Sequence, residues 1–568
     1  MKNYLDGGDA ILEAFRKLGV DYIICSPGSE WSPIWEALAR ADQTKTPSPG
    51  YIDCWHETLA VGIALGYTRA TGRMQAVLLH AGVGLMQGSM GLHSAAMGQT
   101  PLLVMSGEAL TYGEAPDKDP GPQWYRNLSF VGGPHRIVDP IVKWSNQVTS
   151  PETLYEMVMR AGEMAQRGPK GPTYLNVPVE NMMAQWTPPA HARVAPPAPR
   201  TVSPDADIEK LTALLAAARF PVVLTETAGA DLETYDALIA FAEANAVPVL
   251  ETRSAPCANF PKDHPMYAGG DPNTILAETD LAILVRCKAP WYPPSNRPKK
   301  GPVVVVDESP FRGDMVYQVL GADMYLEGFA GATLDALARQ APARTDKALL
   351  DERRTRAGAL HEALQARIAK AQGEAAAKTG PKPGLDPIWA FKIVSDVLPQ
   401  DTVYVDELTT HSSVLTTHVA WNEPDRYFYV MGGLGQGLGV ALGVKLAKRD
   451  KFVAVFIGDG SFLYNPVLQG LGAARDNDLP LLIVICNNKH YAAMFQLLTK
   501  FYPDGAAITD NNIRGSHINH PDFSHVAQAF GGTGVDAATE AELRQALKDG
   551  IATVKSGRCA IVNMILSR

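Results

Sequence analysis

At 568 residues the chain is too long for one hydrophobic core and predicts three or four domains. With 46% hydrophobic and 20% charged residues it is composed like a soluble globular protein, and a formal net charge of −9 gives no ground for nucleic acid or an anionic membrane surface as partner. The start MKNYLDGGDAILEAF lacks a signal-peptide pattern, no run approaches a membrane span, and six scattered cysteines form neither a CxxC pair nor a Cys/His cluster, so a reducing cytoplasm is expected.

Residues 9–19 (DAILEAFRKLG) show helical apolar spacing closed by Gly19. VDYIICSPGSE reads as a strand entering a Pro-Gly loop that carries Ser29, and YIDCW (51–55) as a strand leading into His56 and Glu57 at a helix start. An acid in a first helical turn ordinarily serves the macrodipole. MQAVLLH (74–80) is a strand with His80 at its carboxyl tip, followed by Gly82, Gly84 and Gly88 and then by the strand LLVMSGE (102–108). The spacing GxGxxxG imitates a dinucleotide fingerprint, but alone it is weak and no acid sits convincingly at the end of a following strand to hold a ribose, so nicotinamide binding is rejected. KGPTYLNVPVENM (170–182) closes this region.

Residues 186–204 are rich in Pro and Ala and read as a linker. FPVVLTE, VPVLET, DLAILVR and GPVVVVDES predict four strands of a second α/β region, and 345–378 a charged, Ala-rich surface helix. Further on, VYVDE (403–407) is a strand ending in a loop with Thr409, Thr410 and His411; hydroxyls beside free N–H groups at a helix start make an anion site. The glycine-rich 431–447 reads as a helix packing closely on a sheet. FVAVFI (452–457) stops at Gly458-Asp459-Gly460, and LLIVIC (481–486) stops at Asn487-Asn488. Buried runs separated by a helix suit a parallel βαβ unit, which brings Asp459 and Asn488 to one carboxyl edge, where open α/β sheets bind ligands. One carboxylate and one amide oxygen suit a hard divalent cation that keeps water and phosphate as its other ligands. Glycines on both sides of Asp459 let a diphosphate approach the backbone.

GDG, 26 intervening residues (461–486) and NN resemble the signature of the thiamine-diphosphate-dependent enzymes, and HETLAVGIALGYTRATG (56–72) resembles a second segment of that superfamily. The resemblance runs through the whole chain. It implies an α/β protein of three doubly wound parallel-sheet domains: pyrimidine-binding (1–185), a linker (186–204), central (205–345), a helical connector (346–385) and diphosphate-binding (386–568). It implies that Asp459, the Asn488 side chain and the His490 carbonyl hold Mg²⁺, with Gly458, Gly460, Ser461, Thr409, Thr410 and His411 around the diphosphate. Leu434, in MGGLGQGLG, falls where a bulky apolar side chain props the cofactor into a bent shape. Glu57 falls where a carboxyl group bonds the aminopyrimidine of the cofactor on a neighbouring subunit, which implies a dimer or tetramer. That bond favours the imino tautomer, whose nitrogen is an internal base for the thiazolium carbon. LLHAGVG and the Pro-Gly-Ser loop resemble segments of benzoylformate decarboxylase in which His80 would work on substrate and Ser29 would meet its carboxylate. Gln123, in GPQWYRN, lies near the place of an active-site Gln in acetolactate synthase.

The expected activity is decarboxylation or C–C cleavage of a 2-oxo acid or related small carbonyl substrate through an enamine, in the benzoylformate decarboxylase and acetolactate synthase group. The alternatives are a carboligase, a C–C lyase, an FAD-linked oxidase, and a cofactor-binding regulatory subunit without turnover. FAD, which some members hold in the central domain, finds no basic cradle or glycine turn here.

Overall fold

A computed structural model describes residues 5–108, 128, 130, 133–191, 193–252, 255–312, 321–378, 384–519 and 521–567. Gln123 lies outside the described residues. Three sheets carry the fold, and every strand pair in them is parallel. The first comprises β1 (Tyr22–Cys25), β2 (Gly50–Asp53), β3 (Gln75–Leu79), β4 (Leu102–Glu108), β5 (Trp144–Gln147) and β6 (Thr173–Pro178), in the order β2-β1-β3-β4-β6-β5. The second comprises β7 (Pro221–Thr225), β8 (Val249–Glu251), β9 (Leu281–Val285), β10 (Val303–Asp307) and β11 (Met324–Glu327), ordered β11-β10-β9-β7-β8. The third comprises β12 (Val403–Glu407), β13 (Tyr427–Tyr429), β14 (Val453–Gly458), β15 (Leu482–Asn487), β16 (Thr533–Ala537) and β17 (Ala560–Ile565), ordered β13-β12-β14-β15-β17-β16. Counted from its own first strand, the third sheet repeats the order of the first.

The inner strands are the continuous Val/Ile/Leu runs of the sequence, and β3, β4, β7, β9, β10 and β15 are buried along their whole length. Sheets covered on both faces require this, because neither set of side chains meets water. The opening helix, Gly7–Leu18, starts at Asp6, whose carboxylate accepts from Gly8 N while Asp9 returns the bond to Asp6 N, and it ends at Gly19 in the left-handed region. Described residues between 187 and 204 form no helix or strand, and the helix Lys347–Ala377 covers the stretch read as helical. That helix is not wholly a surface element. Arg353 is buried in it and donates to Leu215 O (2.6 Å) and Ala218 O (3.1 Å), taking up carbonyls at the end of helix Asp205–Ala217.

The glycine-rich segment differs from its expected form. Its helix begins only at Gly437 and ends at Ala447, and its closest approach is to another helix, Glu57–Thr71. A Cβ on Gly439 would lie 3.1 Å from Gly62 Cα, so two glycines facing each other let the two helices touch backbone to backbone. The chain divides into two compact units, Met1–Ala198 with Val430–Asp450 and Leu463–Leu481, and Pro199–Tyr429 with Lys451–Phe462 and Leu482–Arg568. No helix among the described residues is long and apolar enough to cross a membrane.

Candidate active site

The candidate residues fall into two sets, one in each compact unit. In the first unit they sit at the carboxyl ends of β1, β2 and β3. Glu57 is the first residue of helix Glu57–Thr71, capped by the His56 ring, whose Nδ1 accepts from Thr58 N at 3.2 Å. His56 is thereby a structural cap. The Glu57 carboxylate lies against the helix Ala81–Met97, where a Cβ on Gly84 would be 2.8 Å from Oε1. Gly88 and Gly91 face Val61 on the same helix pair. Of the glycines that imitate a dinucleotide fingerprint, Gly84 and Gly88 are thus there for the room Glu57 occupies and for packing, and Gly82 makes room for the Phe130 ring.

His80 ends β3 and precedes that helix. Its Nδ1 lies 3.0 and 2.9 Å from the two carboxylate oxygens of Glu30, and Glu30 Oε1 also accepts from Ala81 N at 2.8 Å. The Glu30 side chain is 0% exposed and that of His80 24%. The hydrogen bond to Glu30 raises the pKa of His80 above its ordinary value, against the opposing pull of burial. The imidazole is therefore not the unperturbed one its place at a strand tip suggests; it holds its proton to higher pH. Gly28 is required beside the pair, since a Cβ there would collide with His80 Nδ1 and the Glu30 carboxylate. Ser29, the exposed next residue, opens a short turn, and its carbonyl accepts from Ser32 Oγ at 2.7 Å. Glu30 is the residue that sequence reasoning missed. The available signal was an acid one position past the Pro-Gly-Ser turn at a strand end, where a surface reading is the default.

Leu434 sits in a turn over 431–436 in which Gly432, Gly433 and Gly435 take φ of 85°, 140° and 98°, values only glycine holds without strain. Gln436 Nε2 ties the turn by donating to Gly433 O (3.0 Å) and Met431 O (3.3 Å), and the Leu434 side chain is left 36% exposed.

In the second unit, β14 delivers Gly458 and then Asp459, which is 3% exposed. Asp459 Oδ1 accepts from Gly460 N at 2.9 Å, and Oδ2 from Lys489 N at 2.8 Å, directly after Asn488. Lys489 takes φ 58°, a left-handed turn that sends the chain back after β15. The two asparagines divide their work. Asn487 turns into the sheet and donates to Asn563 Oδ1 (3.0 Å), while Asn488 Oδ1 accepts from His490 N (2.9 Å). The His490 ring Nδ1 donates to Ser516 O at 3.2 Å, so its side chain is occupied locally. Ser461 is buried, and Gly460 leaves room for the Tyr491 ring. No group of three or more His, Cys, Asp or Glu able to hold a metal occurs among the described residues. One carboxylate beside one amide at neighbouring strand ends therefore suits a cation bound chiefly through water and phosphate, the habit of Mg²⁺.

Next to β14, the strand β12 ends in the loop with Thr409, Thr410 and His411. His411 is buried, and burial pulls its pKa down to about 4, so it is neutral near pH 7. After His490 comes the helix Ala492–Phe501, in which no residue is buried; Met494 is 54% and Leu497 51% exposed.

The second sheet offers a different edge. Its strand order reverses between β7 and β9, the position where doubly wound sheets hold nucleotides. There Glu226 is buried and accepts from Lys288 N at 2.7 Å, while the Arg286 guanidinium is clamped between Asp231 and Glu308. The strand ends Glu251, Asp307 and Glu327 are acidic as well.

Two family models match the chain: "Thiamine pyrophosphate enzyme, N-terminal TPP binding domain" over residues 5–125, and "Thiamine pyrophosphate enzyme, C-terminal TPP binding domain" over residues 407–564. The chain is 28% identical over 568 residues to benzoylformate decarboxylase of Pseudomonas aeruginosa, covering 96% of each chain. It is 24% identical to the acetolactate synthase isozyme 3 large subunit of Escherichia coli, covering 99% of this chain and 94% of that one. Among solved structures, a thiamine diphosphate-dependent 4-hydroxybenzoylformate decarboxylase of Rhodococcus jostii superposes with a TM-score of 0.80 at 24% identity, over 99% of both chains.

Proposed function

The chain belongs to the thiamine-diphosphate-dependent enzymes, and from that premise we propose that it is a Mg²⁺-assisted decarboxylase of a small 2-oxo acid that releases an aldehyde. The observation that carries this reading is the bidentate contact of His80 with buried Glu30, which keeps a proton on an imidazole at the strand tip. An enzyme that ends its cycle by protonation needs such a reservoir; one that ends by joining a second carbonyl does not need it at that step.

When bound, the cofactor would supply a nucleophilic carbon for the substrate carbonyl and, in its cationic ring, a sink for the electron pair left by departing CO₂. The residues of this chain do the rest. Asp459, the Asn488 side chain and the His490 carbonyl would hold Mg²⁺, and Thr409, Thr410, His411 and the backbone around Gly458, Gly460 and Ser461 would hold the diphosphate. Neutral His411 serves as a hydrogen-bond donor without adding charge. Leu434 would support the cofactor, and Glu57 would bond the aminopyrimidine. His80 gives a proton to the developing alkoxide through Nε2, since Nδ1 is committed to Glu30, and Ser29 meets the carboxylate of the substrate. Gln123 is assigned to the same substrate side on its sequence neighbourhood alone. The exposed helix Ala492–Phe501 offers Met494 and Leu497 to an apolar substrate side chain.

Self-association into a dimer or tetramer belongs to this reading. Met86, Met90 and Met97 stand exposed on the helix Ala81–Met97, an apolar face suited to a second copy. Six cysteines outside any disulfide, five of them buried, suit a cytoplasmic location. The domain limits 1–185, 205–345 and 386–568 are proposed for the pyrimidine, central and diphosphate domains. An FAD-linked oxidase is disfavoured by the acid-tipped central sheet, where, among the described residues, Arg286 and Arg312 are both engaged by carboxylates. Purified enzyme incubated with a panel of 2-oxo acids tests the proposal: CO₂ and aldehyde should appear in equal amounts. CO₂ release with a two-substrate product and no aldehyde would replace it with the carboligase reading, and a flavin absorbance in the purified protein with the oxidase.

A further inference from the structure

The third sheet hides a second carboxylate that the chemistry above leaves idle. Asp406 lies one residue before the end of β12 and is fully buried. Its Oδ1 accepts from Leu408 N at 2.8 Å; its Oδ2 accepts from Ser412 Oγ at 2.7 Å and from Tyr427 Oη at 2.8 Å. The three donors are not scattered. Leu408 opens the loop that contains Thr409, Thr410 and His411, Ser412 closes it as the first residue of helix Ser412–His418, and Tyr427 stands on β13, the neighbouring strand. Both ends of a four-residue loop are thus stapled to one carboxylate. A buried carboxylate is costly unless its position repays the desolvation, and the bonds here are spent on loop geometry.

We propose that Asp406 is the positioning residue of the diphosphate loop, holding Thr409, Thr410 and His411 in the conformation that receives the cofactor without itself touching it. This rests on the reading of that loop as a diphosphate contact. The ionised form is the one that holds the loop, because only it accepts from all three donors at once. Burial raises the pKa of Asp406 to about 6, so the staple is complete above that pH and is lost as pH falls through it. The titratable groups around it are Tyr427 and Tyr429 from β13, Cys486 from β15, adjacent Glu407, and His411 on the loop; Asp459 shares the field at Cys486. Burial holds Tyr427, Tyr429 and Cys486 neutral at pH 5–8, and neutral His411 does not charge until near pH 4.

The test is the affinity of the full-length protein for thiamine diphosphate in the presence of Mg²⁺, by equilibrium dialysis, at pH 7.5 and pH 5. Asp406→Asn should bind about tenfold more weakly than the parent at about pH 7.5, the scale at which losing an orienting partner shows. At pH 5 the ratio should collapse toward one, because the parent has then lost the same charge. A ratio that persists at pH 5 makes Asp406 merely structural, and a ratio of one at both pH values removes it from cofactor binding; either overturns the proposal. Ser412→Ala, which deletes one tether of three, should weaken binding about threefold at pH 7.5 and keeps the test decisive if the Asn variant does not fold. Parent-like affinity in Ser412→Ala would count against the staple. Thr409→Ala and Thr410→Ala separate the premise from the inference. If they leave affinity unchanged, the loop is no diphosphate contact; if they weaken it while Asp406→Asn does not, the loop reading stands and the positioning role falls.

Discussion

The first and third sheets have the same strand order, and each presents candidate residues on loops at the carboxyl ends of its strands, yet the chemistry at the two edges differs. On the first sheet the loops after β1, β2 and β3 carry Glu30, Glu57 and His80, groups that bind and pass protons. On the third, the loops after β12, β14 and β15 carry Thr409 to His411, Asp459 and Asn488, the groups proposed to hold an anion and a hard cation. One architecture, used twice, places a crevice at the same topological position, and only the loop residues decide what it does. Burial acts differently on the two. In the first sheet Glu30 lends its charge to His80 and raises its pKa. In the third, burial keeps His411 neutral and raises the pKa of Asp406, and the carboxylates of Asp406 and Asp459 each accept from backbone N–H groups. The second sheet differs from both: among the described residues its edge is acidic, with Arg286 paired to Asp231 and Glu308.

Substitutions can break this division of labour. The largest effect should come from Asp459→Ala, which removes the one charged protein ligand proposed for Mg²⁺; cofactor retained through desalting should fall by about 10² or more in affinity, read by calorimetry. Unchanged affinity would take the metal off the third sheet. His80→Ala should leave cofactor affinity intact while kcat/KM falls by about 10² to 10⁴, with the loss in adduct formation or product release by rapid quench. Near-normal turnover would return His80 to a plain strand end.

Glu30→Gln sharpens the same point with a smaller effect, about tenfold to a hundredfold in kcat/KM, because the imidazole remains but loses its anchor. Its signature is the pH profile. Glu30 raises the pKa of His80, so the stabilisation of the pair is complete below the ordinary histidine value of 6.5 and is lost as pH rises through the folded value. Replacing Glu30 should move the loss of protonated His80 to lower pH, and an unmoved profile would dissociate the two residues. Gly84→Ala should be the mildest, costing about 1–3 kcal/mol in thermal unfolding as the new methyl pushes Glu57 aside; no change in stability would mean the helices yield freely.

Much of this was legible in the sequence, for reasons that particular residues show. The inner strands β3, β4, β14 and β15 were readable because burial on both faces leaves unbroken apolar runs. The edge strands β5 and β11 were not, being short, partly exposed and mixed in composition, nor was β13, only three residues long, so that pairing with a neighbour and not their own pattern makes them strands. Asp459 and Asn488 stood out because each follows a buried strand directly. Glu30 and Asp406 did not, because a buried carboxylate is recognised by what surrounds it, and those partners come from residues 50 and 21 positions away. The packing of Gly62 on Gly439 was likewise hidden: a glycine-rich helix announces close contact without saying with what.

The division between a proton-moving edge and a cofactor-holding edge is tested most directly at Glu57. Deuterium exchange at the reactive carbon of the bound cofactor, with bound cofactor quantified on the same sample, separates holding from proton transfer in one measurement. Glu57→Gln should retain parent-like occupancy with exchange slowed by about 10² or more. A variant that loses the cofactor, or one that holds it and exchanges at the parent rate, would contradict the account.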